Sequence, residues 1–206
     1  MAMYLGNKKV AVTNTVEKQV PSMKAFFEDG GKCAYSTTTS FDGCWQYSDT
    51  ENVTDMSNMF TSCSELATVP LFDTSNVTNM NNMFYNCSNL TTVPQFDTSK
   101  VTSMAYMFCY CSNLANVPLF DTSNVTNMSS MFNGCSSLEA IHMININANL
   151  NISDSTKFTR EALLEIIGNL KAQTSGSKKL TMGSTNLAKL TDEDKAIATN
   201  KGWTLA

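Results

Sequence analysis

Histidine is nearly absent: His142 is the single one in 206 residues. It has no Ser, Cys or Asp partner at a recurring spacing, so a triad or hydrolytic pair has nothing to build on and no enzymatic activity is expected. Charge is scarce too, with Asp, Glu, Lys and Arg at 16%. Residues 1–51 carry a net −1, residues 52–147 a net −5 with one Lys, and residues 148–206 a net +2. A middle with a lone Lys cannot neutralise a row of phosphates, which argues against a nucleic-acid partner. No run approaches the ~20 continuous apolar residues of a membrane span, so no membrane insertion is expected. The opening Met1 to Lys9 also lacks the charged start and apolar stretch of a secretory signal. Seven Cys, an odd number, do not fit a simple disulfide framework.

What the chain has is a repeat. Written in lines of 24 from Asn52, it aligns NVTDMSNMFTSCSELATVPLFDTS, NVTNMNNMFYNCSNLTTVPQFDTS, KVTSMAYMFCYCSNLANVPLFDTS and NVTNMSSMFNGCSSLEAIHMININ. Eight columns are invariant in all four copies and fourteen in the first three, which marks a stacked array. In the first copy the apolar residues Met56, Met59, Phe60 and Cys63 have the spacing of one buried helical stripe, with Thr54 near its start as a cap. Leu66, Val69, Pro70 and Phe72 then read as a short strand, closed by an Asp-Thr-Ser turn. One copy cannot bury both faces, whereas stacked copies can. Pro70, Pro94 and Pro118 each remove a ladder donor, so the parallel sheet should be narrow.

The repeating L-x-x-V-P-x-F-D-T-S-x-V-T-x-M-x-x-M-F-x-x-C-S-x-L resembles the BspA-like class of leucine-rich repeats, found in bacterial surface proteins and in proteins of phages that infect such bacteria. The resemblance covers residues 52–147. It implies an α/β repeat fold: a curved right-handed leucine-rich-repeat solenoid with short parallel strands on one face and short helices on the other, capped at both ends. It further implies binding to proteins or cell surfaces, and it brings no catalytic residues.

The flanks complete a four-part plan. Residues 1–20 are read as an N-terminal hairpin or attachment arm around Tyr4-Leu5, Gly6-Asn7 and Val10-Ala11-Val12, with a frayed first strand as the plainer reading. Their start resembles openings of phage structural proteins, and such an arm offers a route to a homo-oligomer. Residues 21–51 are an N-terminal cap, with Met23, Phe26 and Phe27 as a degenerate helical half and Gly30-Gly31 as its stop. The four 24-residue repeats fill 52–147. Residues 148–206 form a C-terminal helix-strand-helix-strand cap, with helices starting at Thr159 and Thr191 and strands around Lys179 to Met182 and Trp203 to Leu205.

No cofactor or metal is expected. The Met-x-x-Met pairs and their Cys neighbours are soft ligands of the kind that hold Cu(I), but they occupy the apolar stripe and read as core. The stacked Cys63, Cys87, Cys111 and Cys135 point the same way and read as reduced packing. Cys109 stands in a column otherwise held by Thr61, Tyr85 and Asn133, which predicts an exposed, reactive thiol. Asp73, Asp97 and Asp121 are single acids with turn and cap duty.

Because invariant columns describe the core, recognition is expected in columns that vary. The candidate binding surface is Thr68, Tyr85, Thr92, Gln95, Tyr106, Tyr110 and Asn116, with Leu71 and Leu119 beside the prolines varying as well. Tyrosine gives large contact area at little entropic cost; the plainer reading is that these positions are merely solvated. The expected function is a non-enzymatic recognition or adhesion module in a virion or at the extracellular cell surface. The leading form is a phage virion protein, tail or capsid-associated, that contacts the bacterial host. Its partners would be a protein or glycan on a bacterial cell surface, or neighbouring virion proteins. The alternatives are a bacterial cell-surface adhesin and a structural decoration or spacer.

Overall fold

A computed structural model describes residues 2–5, 8–11 and 50–206. The segment expected to form the N-terminal cap, residues 21–51, lies outside the described residues apart from its last two. Strands β1 (Ala2–Leu5) and β2 (Lys8–Ala11) pair antiparallel, Leu5 opposite Lys8.

The four copies stack in register, and each of the eight invariant columns has a physical reason. Val, both Met, Phe and Leu are buried in every copy, for example Val101, Met104, Met107, Phe108 and Leu114, all fully buried. The Phe rings form a stacked column, with centroids 5.3 Å apart from Phe60 to Phe84, 5.6 Å from Phe84 to Phe108 and 6.0 Å from Phe108 to Phe132. The invariant Cys is buried beside them, and its thiol donates to the Phe carbonyl of the preceding copy: Cys87 to Phe60, Cys111 to Phe84 and Cys135 to Phe108, each 3.0 Å. The invariant Thr and Ser bond from copy to copy. Thr102 donates both N–H (2.8 Å) and Oγ1 (3.0 Å) to the Thr78 carbonyl, and Thr126 repeats this toward Thr102. Ser88 and Ser112 reach back to Ser64 and Ser88.

The expected short helices do not form in residues 52–147. The Met-x-x-Met-Phe segment is instead a run of turns in which alternate peptides point along the stack. Met59, Thr61 and Cys63 donate to the carbonyls three residues back, while Asn58, Phe60 and Ser62 donate to Asn81, Met83 and Tyr85 of the next copy at 2.9, 2.8 and 2.7 Å. An α-helix would satisfy its donors internally and leave none for the neighbour. Left-handed residues punctuate the run, at Asn58 (φ 60°) and Ser62 (φ 63°) in the first copy and at the same two positions in the other three. Thr54 accordingly caps no helix; its carbonyl accepts both bonds from Thr78.

Strand-length pairing occurs between the third and fourth copies, and residues 66–72, expected as a strand, form none. Strands β3 (Asn116–Asp121) and β4 (Ala140–Ile144) pair parallel with a register shift between Val117 and Phe120, around Pro118. The earlier copies contribute single bonds on this side, such as Thr91 N–H to the Ala67 carbonyl, before Pro70 and Pro94 interrupt the donor row. On the turn side, parallel bridges link Asp55, Asn79, Ser103 and Asn127 in sequence.

The chain after the repeats has different local structure. Strands β5 (Leu150–Asn151), β6 (Lys178–Thr181) and β7 (Trp203–Leu205) form one parallel sheet. Helix α1 (Arg160–Gly168) packs on β4, the short α2 (Gly183–Leu187) follows β6, and α3 (Asp192–Asn200) packs on β7. Thr159 caps α1 by accepting from Ala162 N–H, and Thr191 with Asp194 forms a capping box on α3. The Arg160 guanidinium grips Asp194 through two bonds of 2.8 and 2.7 Å and ties α1 to α3. Leu163, Ile166 and Ile167 continue the apolar core, and the bridge between Ile146 and Leu170 joins this region to the fourth copy. Among the described residues, no helix is long and apolar enough to cross a membrane.

Candidate functional site

The seven residues of the predicted surface fall on two segments of the copy. Tyr85, Tyr106 and Tyr110 lie on the turn run, whereas Thr68, Thr92, Gln95 and Asn116 lie on the strand side. On the turn run, the left-handed positions hold Asn58, Asn82, Tyr106 and Ser130 in one column and Ser62, Asn86, Tyr110 and Gly134 in the other. Asn and Gly tolerate such backbone; a bulky side chain does so at a cost of about 1–2 kcal/mol. The third copy nevertheless places tyrosine at both, Tyr106 at φ 58° and Tyr110 at φ 64°, with 42% and 49% of their surface exposed.

The ring of Tyr110 has a seat built for it. It meets Tyr85 edge to face at 5.7 Å and 83°, and on its other side lies Gly134, where an added Cβ would sit 2.7 Å from Tyr110 Cδ1. The peptide N–H of Gly134 is itself held by Asp154 at 2.9 Å. The backbone beneath both rings is fixed by bonds from Tyr106 N–H to the Ser129 carbonyl and from Tyr110 N–H to the Asn133 carbonyl. Two exposed rings thus stand on a backbone that cannot relax.

On the strand side, Thr68, Thr92 and Asn116 form one row, half-buried at Thr68 and exposed at the other two. Gln95 lies in a groove of about 400 Å³ with Leu71 and Leu119 on either side. Buried Phe72 and Phe96 floor it, and Asp97 and Asp121 form a polar wall. Both acids serve turns, as expected: Asp97 Oδ1 accepts from Ser99 N–H (3.0 Å) and Asp121 Oδ1 from Ser123 N–H (2.9 Å). Burial opposes ionisation of Asp121, but bonds from Asn145 and Ser123 outweigh it and hold the carboxyl below its usual range. The groove was not legible in the sequence because its walls meet only when copies stack. The usable signal was the spacing of 24 between Leu71, Gln95 and Leu119.

Among the described residues the thiols are buried. Cys109, expected to be exposed and reactive, is buried with 3% of its surface accessible. Burial pushes its thiol up, and the nearby Asp154 carboxylate adds to this. Burial likewise raises Cys87 and Cys111, each next to another thiol of the ladder, and pushes Cys135 up to about 12. The Met-x-x-Met pairs are buried throughout. His142 sits at the end of the array and bonds Glu165 of α1 through Nδ1 at 2.7 Å. Among the described residues, no three His, Cys, Asp or Glu side chains are grouped to hold a metal ion.

Residues 22–145 match the family described as "Mycoplasma protein of unknown function, DUF285", a stretch that takes in three whole copies and most of the fourth. No curated protein and no solved structure matches the chain. With more than half of its length inside that match, the chain belongs to the DUF285 family.

Proposed function

We propose that this chain is a non-enzymatic recognition module: a leucine-rich-repeat solenoid of the BspA-like kind, in which turn runs replace the helices, presenting its third copy to a partner. Its leading role is that of a phage virion protein, tail or capsid-associated, that contacts a protein or glycan on the bacterial host surface. The observation that carries the reading is the pair Tyr106 and Tyr110. Each occupies a left-handed position that the other copies fill with Asn, Ser or Gly, and each is exposed. Observed strain of this kind points to function, because a side chain that contributes nothing to the core is kept against a backbone cost. Rigid, preorganised tyrosines also lose little entropy on binding. A non-catalytic role accords with thiols held protonated by burial and with a lone His that is engaged with Glu165.

The test is adhesion of the purified protein to intact bacterial cells, compared among wild type, Tyr106→Asn and Tyr110→Asn. Asn already stands at Asn82 and Asn86, so Tyr106→Asn should raise stability by about 1 kcal/mol in urea denaturation, and Tyr110→Asn, which also loses the ring contact with Tyr85, should leave it nearly unchanged. Adhesion should nonetheless fall about tenfold or more for each, as expected for anchor residues. Wild-type adhesion by both variants overturns the reading. A second form, a bacterial cell-surface adhesin, is favoured by the bacterial description of the family. Immunogold label on phage particles selects the virion role, and label on cell envelopes alone selects the adhesin.

A further inference from the structure

The strand-side groove takes no part in that tyrosine edge. Leu71 and Leu119 are 49% and 45% exposed, two of the few large apolar side chains left in solvent. They stand two copies apart, roughly 10 Å at the spacing of paired strands, with Gln95 between them and buried Phe96 beneath. Asp97 and Asp121 stand one copy apart on the same wall, roughly 5 Å at that spacing. Each has one oxygen engaged by turn donors, Asp97 by Ser99 and Asp121 by Ser123 and Asn145. The Ser99, Ser123 and Asn145 bonds with stated lengths all fall on Oδ1 of these acids, and among the described residues neither acid is in an ion pair. The array holds one cation, Lys100, and it is bonded to Asn76 at 2.7 Å. The groove therefore has apolar walls and an apolar floor around Gln95, is anionic along one side, and is set in a stretch of net charge −5.

We propose that this groove docks an extended segment of a partner protein that carries an arginine two residues from a leucine-sized side chain. The apolar side chain enters between Leu71 and Leu119 over Gln95, and the guanidinium lies across Asp97 and Asp121. In an extended segment, side chains two apart share a face at roughly 7 Å spacing, which suits a groove whose apolar and acidic parts lie side by side. Arginine fits better than lysine because its planar fork presents several donors at once, enough for two carboxylates. Anionic partners are repelled from the same wall.

Fluorescence anisotropy with the labelled peptide Gly-Leu-Ser-Arg-Leu-Ser-Arg-Gly tests this on the full chain. The peptide should bind, and its variant with Glu in place of both Arg should not. Asp97→Asn with Asp121→Asn should weaken binding about tenfold or more, since charge pairing is lost while the Asn oxygens keep the turn bonds. Leu119→Ser should weaken it about tenfold through lost apolar contact. Tyr106→Asn should leave it unchanged, which separates this groove from the tyrosine edge. Equal binding of the Arg and Glu peptides, or loss of binding on Tyr106→Asn, overturns the proposal. So does an absence of peptide binding together with self-association that the Asp variants abolish, which would assign the groove to a second copy.

Discussion

The repeats and the region after them solve the same problem, how to satisfy backbone donors around an apolar core, in opposite ways. Residues 160–200 use local closure: α1 and α3 bond within themselves and are capped at their starts by Thr159 and Thr191, and one Arg–Asp pair fastens them together. Residues 52–147 close only alternate peptides of each turn run locally. Every second peptide of a turn run is completed by the next copy, and the invariant Thr hydroxyls and the thiols by the preceding one. Helices can form and then dock, whereas a copy exists only through its neighbours. The comparison explains the charge distribution as well. Ion pairs and caps fasten the helical region, while the array is fastened by neutral Thr, Ser and Asn.

The sharpest way to break the comparison is Phe108→Ala. The ring stacks on Phe84 and Phe132 and also touches Phe120 at 6.4 Å, so a loss of about 3–5 kcal/mol is expected in urea denaturation. Hydrogen exchange should show protection falling across residues 76–147 before it falls in Arg160–Gly168. Uniform loss in both regions would mean that they unfold as one unit and that the contrast is only geometric.

Thr102→Val is the gentler probe. It keeps shape and the N–H bond to the Thr78 carbonyl and deletes only the hydroxyl bond. A cost of about 1 kcal/mol is expected, and no more because the site is exposed. A neutral result would move the stability of the stack wholly onto its core.

Acid should separate the two regions with the smallest effect. Asp194 is held below its ordinary value of 3.8, first by the Thr191 N–H bond and then by Arg160. A carboxyl depressed in the folded state adds stability above its unfolded pKa and loses it as pH falls through the folded value. Heating scans stepped from pH 5 down to pH 2 should therefore loosen α1 and α3 below about pH 4. Asp194→Asn should flatten that dependence without touching exchange in the third copy.

The core of this fold was legible from sequence, because the apolar columns recur four times at one spacing and burial follows them residue for residue. The helix expectation failed at a specific ambiguity. Met56, Met59, Phe60 and Cys63 have helical spacing, but a chain of three-residue turns puts the same residues inward. The deciding signal lay in the columns between them: Asn58, Asn82 and Ser130, and Ser62, Asn86 and Gly134, are residues that accept left-handed backbone. Tyr106 and Tyr110 obscured it by occupying those columns against preference. Those two tyrosines were legible as candidates, but not the seat that Gly134 makes for Tyr110, since it depends on two copies meeting. Cys109 was misplaced for the same reason: its column varies in chemistry, yet in the third copy the stack covers it.

The fixed offset of the copy-to-copy bonds has an evolutionary consequence. Asn58 to Asn81, Phe60 to Met83 and Ser62 to Tyr85 all span the same number of residues, and so do their counterparts in later copies. Insertion of one residue inside a copy puts every bond that spans it out of step. Duplication or loss of a whole unit leaves all partners matched. The array can therefore lengthen or shorten in whole copies, extending the displayed surface in steps while the rules of assembly stay unchanged.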